Sequence, residues 1–220
     1  MLVEVWSDIV CPWCYIGKRR LERALERFPE REAVTVRYRS FELDPSRPRS
    51  TGDTLDRMLA SKYGVPLEQA RAMNTRVTAI AATEGIPFRL DVARPGNTFD
   101  AHRLTHLARA SGLEAAAVER FQAAYFTEGA AIGDHEVLAA LSAEVGMDPD
   151  AARARLAGDR FADSVREDEG LAAHLGIRGV PFFVLDRRLG VSGAQDADVL
   201  LGALEQARRD AGSTEVVSAS

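Results

Sequence analysis

The feature that most constrains this chain is a pair of cysteines, Cys11 and Cys14, placed between a short apolar run and an amphipathic segment. They are the only cysteines among the 220 residues. A cysteine at the start of a helix faces unpaired backbone N–H groups and the positive end of the helix dipole, and both stabilise a thiolate. Pro12 suits the first helical turn, where its missing N–H leaves no hydrogen bond unmade. The placement therefore favours redox chemistry.

Two other uses of a Cys-x-x-Cys pair fit less well. A zinc site needs about four ligands, and no second cysteine pair completes one. A structural disulfide at this spacing would close almost no loop and would add little stability. The composition, with 46% hydrophobic and 28% charged residues, is that of an ordinary globular protein. The net charge of −5 gives no basic footprint, so we expect no nucleic-acid partner.

The beginning of the chain does not resemble a targeting segment. Glu4 and Asp8 interrupt it, and it has no basic stretch followed by a long apolar core. No apolar run approaches the roughly 18–20 residues that span a membrane. We therefore expect a cytoplasmic protein without a membrane partner, and in that compartment a Cys-x-x-Cys pair is more often catalytic than structural.

Hydrophobic periodicity predicts an α/β chain interrupted by a helical block. Alternation predicts strands at 2–6 and 34–41, with a helix between them that begins at the cysteine pair. Short apolar runs predict two more strands at 182–185 and 189–192, and a last helix at 196–210 follows them. Helices in the middle are predicted at 54–63, 66–84, 98–111, 115–127, 134–145, 148–156 and 161–174. Asp134 and Asp148 are predicted as N-caps.

These patterns predict a division of the chain into two parts. Residues 1–53 and 173–212 form the α/β domain, and residues 54–172 form a helical insertion domain. The last helix of the insertion, about 160–172, is expected to pack on the α/β part. Residues 213–220 are polar and are predicted to be a disordered tail.

The two cysteines are predicted to have unequal roles. Dithiol chemistry needs one thiolate-prone, exposed sulfur that attacks and one shielded sulfur that resolves the mixed disulfide. Cys11 lies at the mouth of the helix, where the dipole field is stronger, and is assigned as the nucleophile. Cys14 lies one turn deeper and is assigned as the resolving thiol. Trp13 either contacts substrate or packs as a half-buried side chain, and the sequence favours neither.

Two further motifs stand apart from the cysteine pair. Val180 and Pro181 come just before the returning strand, where general frequencies of X–Pro bonds favour a trans peptide. His102 and His106 share one helix face, but no third metal ligand is evident and no metal is expected. Ordinary hydrogen bonding at a helix start, with Asn97 or Thr98 as the cap, explains them as well.

At this point the motifs resemble a known family. The opening segment from Ser7 to Gly17, with Cys-Pro-Trp-Cys at its centre, is similar to the DsbA family of the thioredoxin superfamily and, within it, to the FrnE-like branch. The segment Asn97-Thr98-Phe99-Asp100-Ala101-His102-Arg103 fits the same branch, and the resemblance covers about residues 1–210. The resemblance implies a thioredoxin-like fold with a large inserted all-helical domain.

The resemblance also implies roles for distant residues. It implies that Pro181 is a cis-proline facing Cys11, and that Val180 offers backbone groups to an extended substrate. It places Asn97 and His102 in the cleft between the two parts, near the thiols. Trp13 stands where the periplasmic DsbA enzymes have histidine, which argues against a strongly oxidising pair.

We therefore predict a thiol–disulfide oxidoreductase that acts through a mixed disulfide at Cys11, with Pro12, Trp13, Val180 and Pro181 contacting substrate. No cofactor is expected, although glutathione is a candidate thiol substrate. The expected partners are a disulfide- or dithiol-containing protein or small molecule and the thioredoxin or glutathione system.

Two alternatives stay open. One is a glutathione-dependent isomerase or transferase, similar to 2-hydroxychromene-2-carboxylate isomerases and kappa-class transferases, acting on an aromatic small molecule. That branch usually has serine in place of Cys11. The other is a redox-inactive, chaperone-like module that binds peptides.

Overall fold

The computed structural model describes the backbone of residues 1–215 and the side chains of residues 1–211. Its strands are β1 (Leu2–Ser7), β2 (Thr35–Ser40), β3 (Phe182–Leu185) and β4 (Leu189–Ser192). They form one sheet in the order β2–β1–β3–β4. β1 is parallel to β2 and antiparallel to β3, and β3 is antiparallel to β4. The sheet therefore joins the two ends of the chain, and the mixed α/β class predicted from the sequence is confirmed.

The helices lie close to their predicted positions. They are α1 (Pro12–Arg27), α2 (Leu55–Tyr63), α3 (Leu67–Thr83), α4 (Phe99–Arg109), α5 (Glu114–Ala123), α6 (His135–Glu144), α7 (Pro149–Ala157), α8 (Ala162–His174) and α9 (Ala197–Glu215). α5 continues into a π-helical turn, Ala124–Glu128. The side chains of Asp134 and Asp148 accept hydrogen bonds from backbone N–H groups of the first turns of α6 and α7. Both predicted N-caps are confirmed.

The two faces of the sheet bury different helices because side chains alternate along a strand. Val3 and Val5 of β1 point to one face and belong to a buried cluster with residues of α1 and α9. Trp6 points to the other face, packs on Ala172 of α8, and donates from Nε1 to the carbonyl oxygen of Asp168 at 2.9 Å. α8 thus covers the second face of the sheet.

The helical block has a core that extends into the α/β part. Leu104 of α4, Phe121 of α5 and Leu138 of α6 are fully buried in it. Ile9 and Ile16, which flank the cysteine pair, are buried in the same cluster. Because burial of apolar surface is the main favourable term in folding, this shared cluster holds the start of α1 against the insertion.

The C-terminal helix is longer than the sequence predicted. α9 continues to Glu215, so residues 213–215 of the predicted disordered tail are helical. Gly212 costs a helix only about 1 kcal/mol, which is too little to end one that is anchored by buried side chains such as Leu200 and Leu204. Residues 216–220 of the predicted tail lie outside the described residues.

Candidate active site

The cysteine pair lies at the first turn of α1. Cys11 is the N-cap residue, with extended backbone angles, and Pro12 occupies the first helical position. The backbone N–H groups of Cys14 and Tyr15 donate to the carbonyl oxygen of Cys11 at 3.0 and 3.3 Å. The N–H of Cys11 donates to the carbonyl oxygen of Asp8 at 3.2 Å, which closes the turn between β1 and α1. The sulfur of Cys11 is therefore held at the positive end of the helix dipole.

Cys14 is sealed inside the protein as a free thiol. It is buried, and it is not part of the lining of the neighbouring cleft. Burial raises the pKa of Cys14 well above its usual value, and the hydrogen bond and charge of the Cys11 sulfur act in the same direction. Hydrogen bonds from the Asp8 backbone and the Ser7 side chain oppose this shift without overcoming it. Cys14 therefore stays protonated at neutral pH.

The structure corrects the expected exposure of Cys11. Only 4% of this residue is accessible, whereas the adjacent Trp13 is 42% exposed. Cys11 is covered because the segment before β3 closes over it, and its sulfur donates to the carbonyl oxygen of Val180 at 3.6 Å. Both cysteines are free thiols, but only Cys11 faces the cleft. Access to the pair is therefore through the cleft rather than from open solvent.

The Val180–Pro181 peptide bond is cis, the isomer that the family resemblance implies. Val180 lines the cleft, but Pro181 is buried behind it and is not part of the lining. Pro181 packs on α1 at Gly17, where an added Cβ would lie 2.9 Å from its Cγ. Pro181 thus fixes the position of Val180 relative to Cys11 from behind the site.

The cleft beside Cys11 has a volume of about 440 Å³ and lies between the α/β part and the helical block. A volume of this size is in the range of small-molecule sites, roughly 300–1,000 Å³. Its wall on the α/β side includes Asp8, Cys11, Pro12, Trp13, Gly179 and Val180. Its wall on the helical side includes Met58, Lys62, Met73, Arg76, Tyr125 and Phe126. Of the predicted substrate contacts, Pro12, Trp13 and Val180 line this cleft.

His102 lies behind the cleft rather than in its lining, which corrects its expected position. Its Nε2 is 3.3 Å from Oδ1 of Asp8, and both side chains are buried. Oδ2 of Asp8 accepts from the backbone N–H of Leu43 at 2.8 Å. Burial alone would lower the pKa of His102, but the hydrogen bond and charge of Asp8, with Glu42 and Glu169, raise it above its usual value.

Asn97 also lies outside the cleft lining, although its neighbours Gly96 and Thr98 are part of it. Its Oδ1 accepts from the N–H of Phe99 at 2.9 Å, and its Nδ2 donates to Oε1 of Glu42 at 3.1 Å. Asn97 is turned away from the cleft because its side chain bonds the first residue of α4 and ties it to the segment after β2. The side chain of Thr98, in contrast, makes no capping hydrogen bond.

Several side chains of the site lie outside the sequence-based prediction, among them Asp8, Tyr125 and Arg76. Asp8 is predicted only as a charge that interrupts the beginning of the chain, although an acid so close to the cysteine pair and inside an apolar stretch is a signal for a buried role. Tyr125 lies within the predicted helix 115–127, and Arg76 lies within the predicted helix 66–84. No local pattern in the sequence shows that either residue lines the same cleft as Cys11.

His106 and His135 serve contacts separate from that of His102. Nε2 of His106 is 3.1 Å from Oγ of Ser40 and 3.2 Å from a carboxylate oxygen of Asp168. His135 pairs with Asp100 at 2.7 Å. His102 and His106 therefore bind different carboxylates, although they share a helix.

No helix within residues 1–215 combines the length and apolar character needed to cross a membrane.

Comparison with known proteins gives consistent relatives. The family model of the DSBA-like thioredoxin domain matches residues 2–205. The crystal structure of the probable DsbA oxidoreductase SCO1869 from Streptomyces coelicolor is 48% identical, with a TM-score of 0.90, and covers 94% of this chain and 89% of that one. YwbO of Bacillus subtilis is 26% identical over 94% of this chain and 97% of its own length. The cytosolic disulfide reductase DsbM from Pseudomonas aeruginosa with GSH shares the fold, with 23% identity, a TM-score of 0.68, and coverage of 95% and 100%.

Proposed function

We propose that this chain, which belongs to the DSBA-like thioredoxin domain family, is a thiol–disulfide oxidoreductase whose redox pair is Cys11 and Cys14. The observation that carries the proposal is the inequality of the two free thiols. Cys11 faces a cleft from a helix N-terminus, and Cys14 is buried directly behind it with a raised pKa. Thiol–disulfide exchange needs this combination of one accessible sulfur and one shielded sulfur.

In the proposed reaction the Cys11 thiolate attacks one sulfur of a substrate disulfide. The Cys11–substrate S–S bond forms as the substrate S–S bond breaks, and the first substrate sulfur leaves as a thiolate. Cys14 then loses its proton and attacks Cys11, which forms the Cys11–Cys14 disulfide and releases the second substrate thiolate. The substrate gains two electrons from the dithiol, and the two protons of the cysteines end on the two released thiols. The reverse sequence oxidises a substrate dithiol.

The residues around Cys11 support this sequence by position. The carbonyl oxygen of Val180 lies 3.6 Å from the Cys11 sulfur, so it fixes the position of the attacking atom in the cleft. The high pKa of Cys14 keeps it protonated during the first attack, which prevents both sulfurs from competing for the substrate. Trp13, exposed on the rim beside Cys11, is proposed as an apolar contact for the substrate.

We propose that the protein works in the cytoplasm and is reduced by a small thiol. DsbM is named as a cytosolic disulfide reductase and is known with GSH. Glutathione is therefore the first candidate reductant for the Cys11–Cys14 disulfide, as a substrate rather than a bound cofactor. Reduction consumes two small thiols and yields one small-molecule disulfide, so the cycle balances.

The test is a trapping experiment with three chains. The reduced wild type, Cys11→Ser and Cys14→Ser are mixed with glutathione disulfide and analysed by mass spectrometry under non-reducing conditions. We expect the wild type to form its internal disulfide, Cys14→Ser to keep one glutathione on Cys11, and Cys11→Ser to form no adduct. Equal adducts on both single variants would overturn the assignment of roles. The reduction potential of the Cys11–Cys14 pair is measured by equilibrating the protein with glutathione and glutathione disulfide. A value near about −270 mV is expected for a reductant, and one above about −180 mV for an oxidant.

A glutathione-dependent isomerase or transferase is the second candidate, because the largely apolar cleft suits an aromatic small molecule. Such an enzyme needs the sulfur of a bound thiol but not a resolving cysteine. Full activity of Cys14→Ser on an aromatic substrate, dependent on added glutathione, would favour it. Loss of multiple turnover in the same variant favours the oxidoreductase.

A further inference from the structure

The rim of the cleft is unusually apolar for an exposed surface. Four large side chains that line it are more than a third exposed: Trp13, Leu43, Tyr63 and Met73. They come from α1, from the segment after β2, and from α2 and α3, so they surround the opening from both parts of the protein. Exposed apolar side chains that converge on one cavity mark a binding site rather than scattered surface positions.

The same cleft carries an excess of positive charge. Arg47 pairs with Asp44 at 2.6 Å, and the charge of Lys62 also acts on Asp44. Asp8 is engaged by His102 and by a backbone N–H. Within residues 1–211 the structure records no ion pair for Lys62 or Arg76, which both line the helical wall and are both exposed. The three cations thus outnumber the two carboxylates.

Tyr125 supplies a polar group to the lining of the cleft. The residue is 1% exposed, it lines the cavity, and the charges of Asp8 and Arg47 act on its hydroxyl. No side chain or backbone group of the described residues forms a hydrogen bond with that hydroxyl. A buried tyrosine usually finds a partner for its hydroxyl. The hydroxyl can therefore form its hydrogen bond with a group that binds in the cavity.

We infer that the substrate of this site is a low-molecular-weight organic disulfide whose body is apolar and carries an anionic group. The inference rests on the proposed function, because it assumes that Cys11 reacts with a disulfide. The apolar body contacts Trp13 and Met73, the anionic group lies near Lys62 and Arg76, and the sulfurs reach Cys11. The Tyr125 hydroxyl donates a hydrogen bond to the part of the substrate next to the sulfurs.

The chemistry needs no further reagent for one turnover. The dithiol reduces one substrate disulfide to two thiols, the Cys11–Cys14 disulfide forms, and two electrons and two protons pass to the substrate. Two aromatic disulfides of similar size serve as probes. Dithiobis(nitrobenzoate) carries a carboxylate on each ring, and dithiodipyridine is neutral near pH 8. Both release a thiol with a strong absorbance band of its own, so a stopped-flow trace gives the rate of attack by Cys11.

The measurement compares the ratio of the two rate constants, anionic over neutral, in three reduced proteins. They are the wild type, Lys62→Gln with Arg76→Gln, and a control with Arg31→Gln and Arg208→Gln, which removes the same charge from exposed sites outside the cleft. We expect the ratio to fall about threefold or more in the cleft variant and to stay unchanged in the control. The wild-type ratio should also fall as salt screens the cations.

The variant Tyr125→Phe tests the effect of the tyrosine hydroxyl on the rate separately from the effect of Lys62 and Arg76. It is expected to slow the reaction with both probes by a similar factor, because both release a thiolate from the disulfide that Cys11 attacks. An unchanged ratio in the cleft variant would overturn the inference, as would faster reduction of a protein disulfide than of either probe. If the wild type reacted with neither probe nor glutathione disulfide, the proposed function itself would fail, and the inference with it.

Discussion

The sulfur of Cys11 donates to the carbonyl oxygen of Val180 across 3.6 Å, although the two residues are 169 positions apart in the chain. The contact holds the Cys11 sulfur against the segment before β3, and both residues line the cleft. It also depends on the sheet, since β1 leads to Cys11 and β3 follows Val180 in an antiparallel pair. Any change that shifts this pair of strands is expected to change the reactivity of Cys11.

Selective alkylation of the reduced protein is the first prediction. Iodoacetamide at pH 7 is expected to modify Cys11 long before Cys14, because burial keeps the pKa of Cys14 far above that pH. Cys14→Ser should be labelled like the wild type. Cys11→Ser should remain almost unlabelled, because burial, the largest cause of the shift, is still present. Mass spectrometry gives the number of labels, and the denatured protein should take up two. Two labels at equal rates in the folded protein would contradict the unequal thiols.

The second prediction is that the variant Gly17→Ala is less stable than the wild type. The new Cβ would lie 2.9 Å from Cγ of Pro181 and 3.3 Å from Cζ of Phe183, so one of these side chains must move. We expect a loss of about 1–3 kcal/mol in the free energy of unfolding. We also expect altered iodoacetamide reactivity of Cys11, because Pro181 holds Val180 against it.

The matched control for that variant is Gly170→Ala. Gly170 lies inside α8, and nothing stands within 4 Å of an added Cβ. Alanine has the higher helix propensity, so this variant should be neutral or slightly more stable. Denaturant unfolding of both variants separates contact with Pro181 from a general effect of replacing a helical glycine.

The third prediction is that the variant Asp168→Asn is less stable than the wild type. The Asp168 carboxylate is buried and accepts from Nη1 of Arg39 at 2.7 Å and from the backbone N–H of Ser40 at 2.9 Å, and it pairs with His106. Burial would raise its pKa, but these hydrogen bonds lower it. Removing the charge leaves Arg39 half-paired inside the protein, and breaking such a buried pair costs about 3–5 kcal/mol.

Two measurements check this assignment. The free energy of unfolding of the wild type, minus that of Asp168→Asn, should be at its full value above the pKa of this carboxyl in the unfolded chain, and should be lost as the pH falls through its lowered pKa in the folded protein. The control is Asp91→Asn, which removes an exposed partner of Arg89 and should leave the unfolding midpoint unchanged. An equally small effect of Asp168→Asn would show that α8 is not held to β2 by this network.

The order of strands and helices could be predicted because periodicity is local. Phe182–Leu185 forms a strand by its apolar run, and Asp134 and Asp148 begin helices by their side-chain oxygens. Cys11 and Cys14 stood out by spacing alone. The burial of Cys11 could not be predicted, because it depends on a segment 169 residues away. The position of His102 behind the cleft could not be predicted for a similar reason. Its partner Asp8 and the neighbouring carboxylates of Glu42 and Glu169 come from three other parts of the chain.

The fourth prediction concerns pH and the buried pair of His102 and Asp8. Asp8 from the turn before α1, Glu42 from the segment after β2 and Glu169 from α8 raise the pKa of His102 above its usual 6.5, against the effect of burial. A raised pKa means that the stabilisation is complete below the pKa of the unfolded chain and is lost as the pH rises through that of the folded protein. The free energy of unfolding of the wild type, minus that of His102→Gln, should therefore decrease as the pH rises from about 6. The control is His174→Gln, at the exposed end of α8, and any pH trend that both variants share is not assigned to the buried pair. If the difference for His102→Gln showed no trend of its own, His102 would not be stabilised in its charged form, and Asp8 would hold the Cys11 turn through Leu43 and the backbone alone.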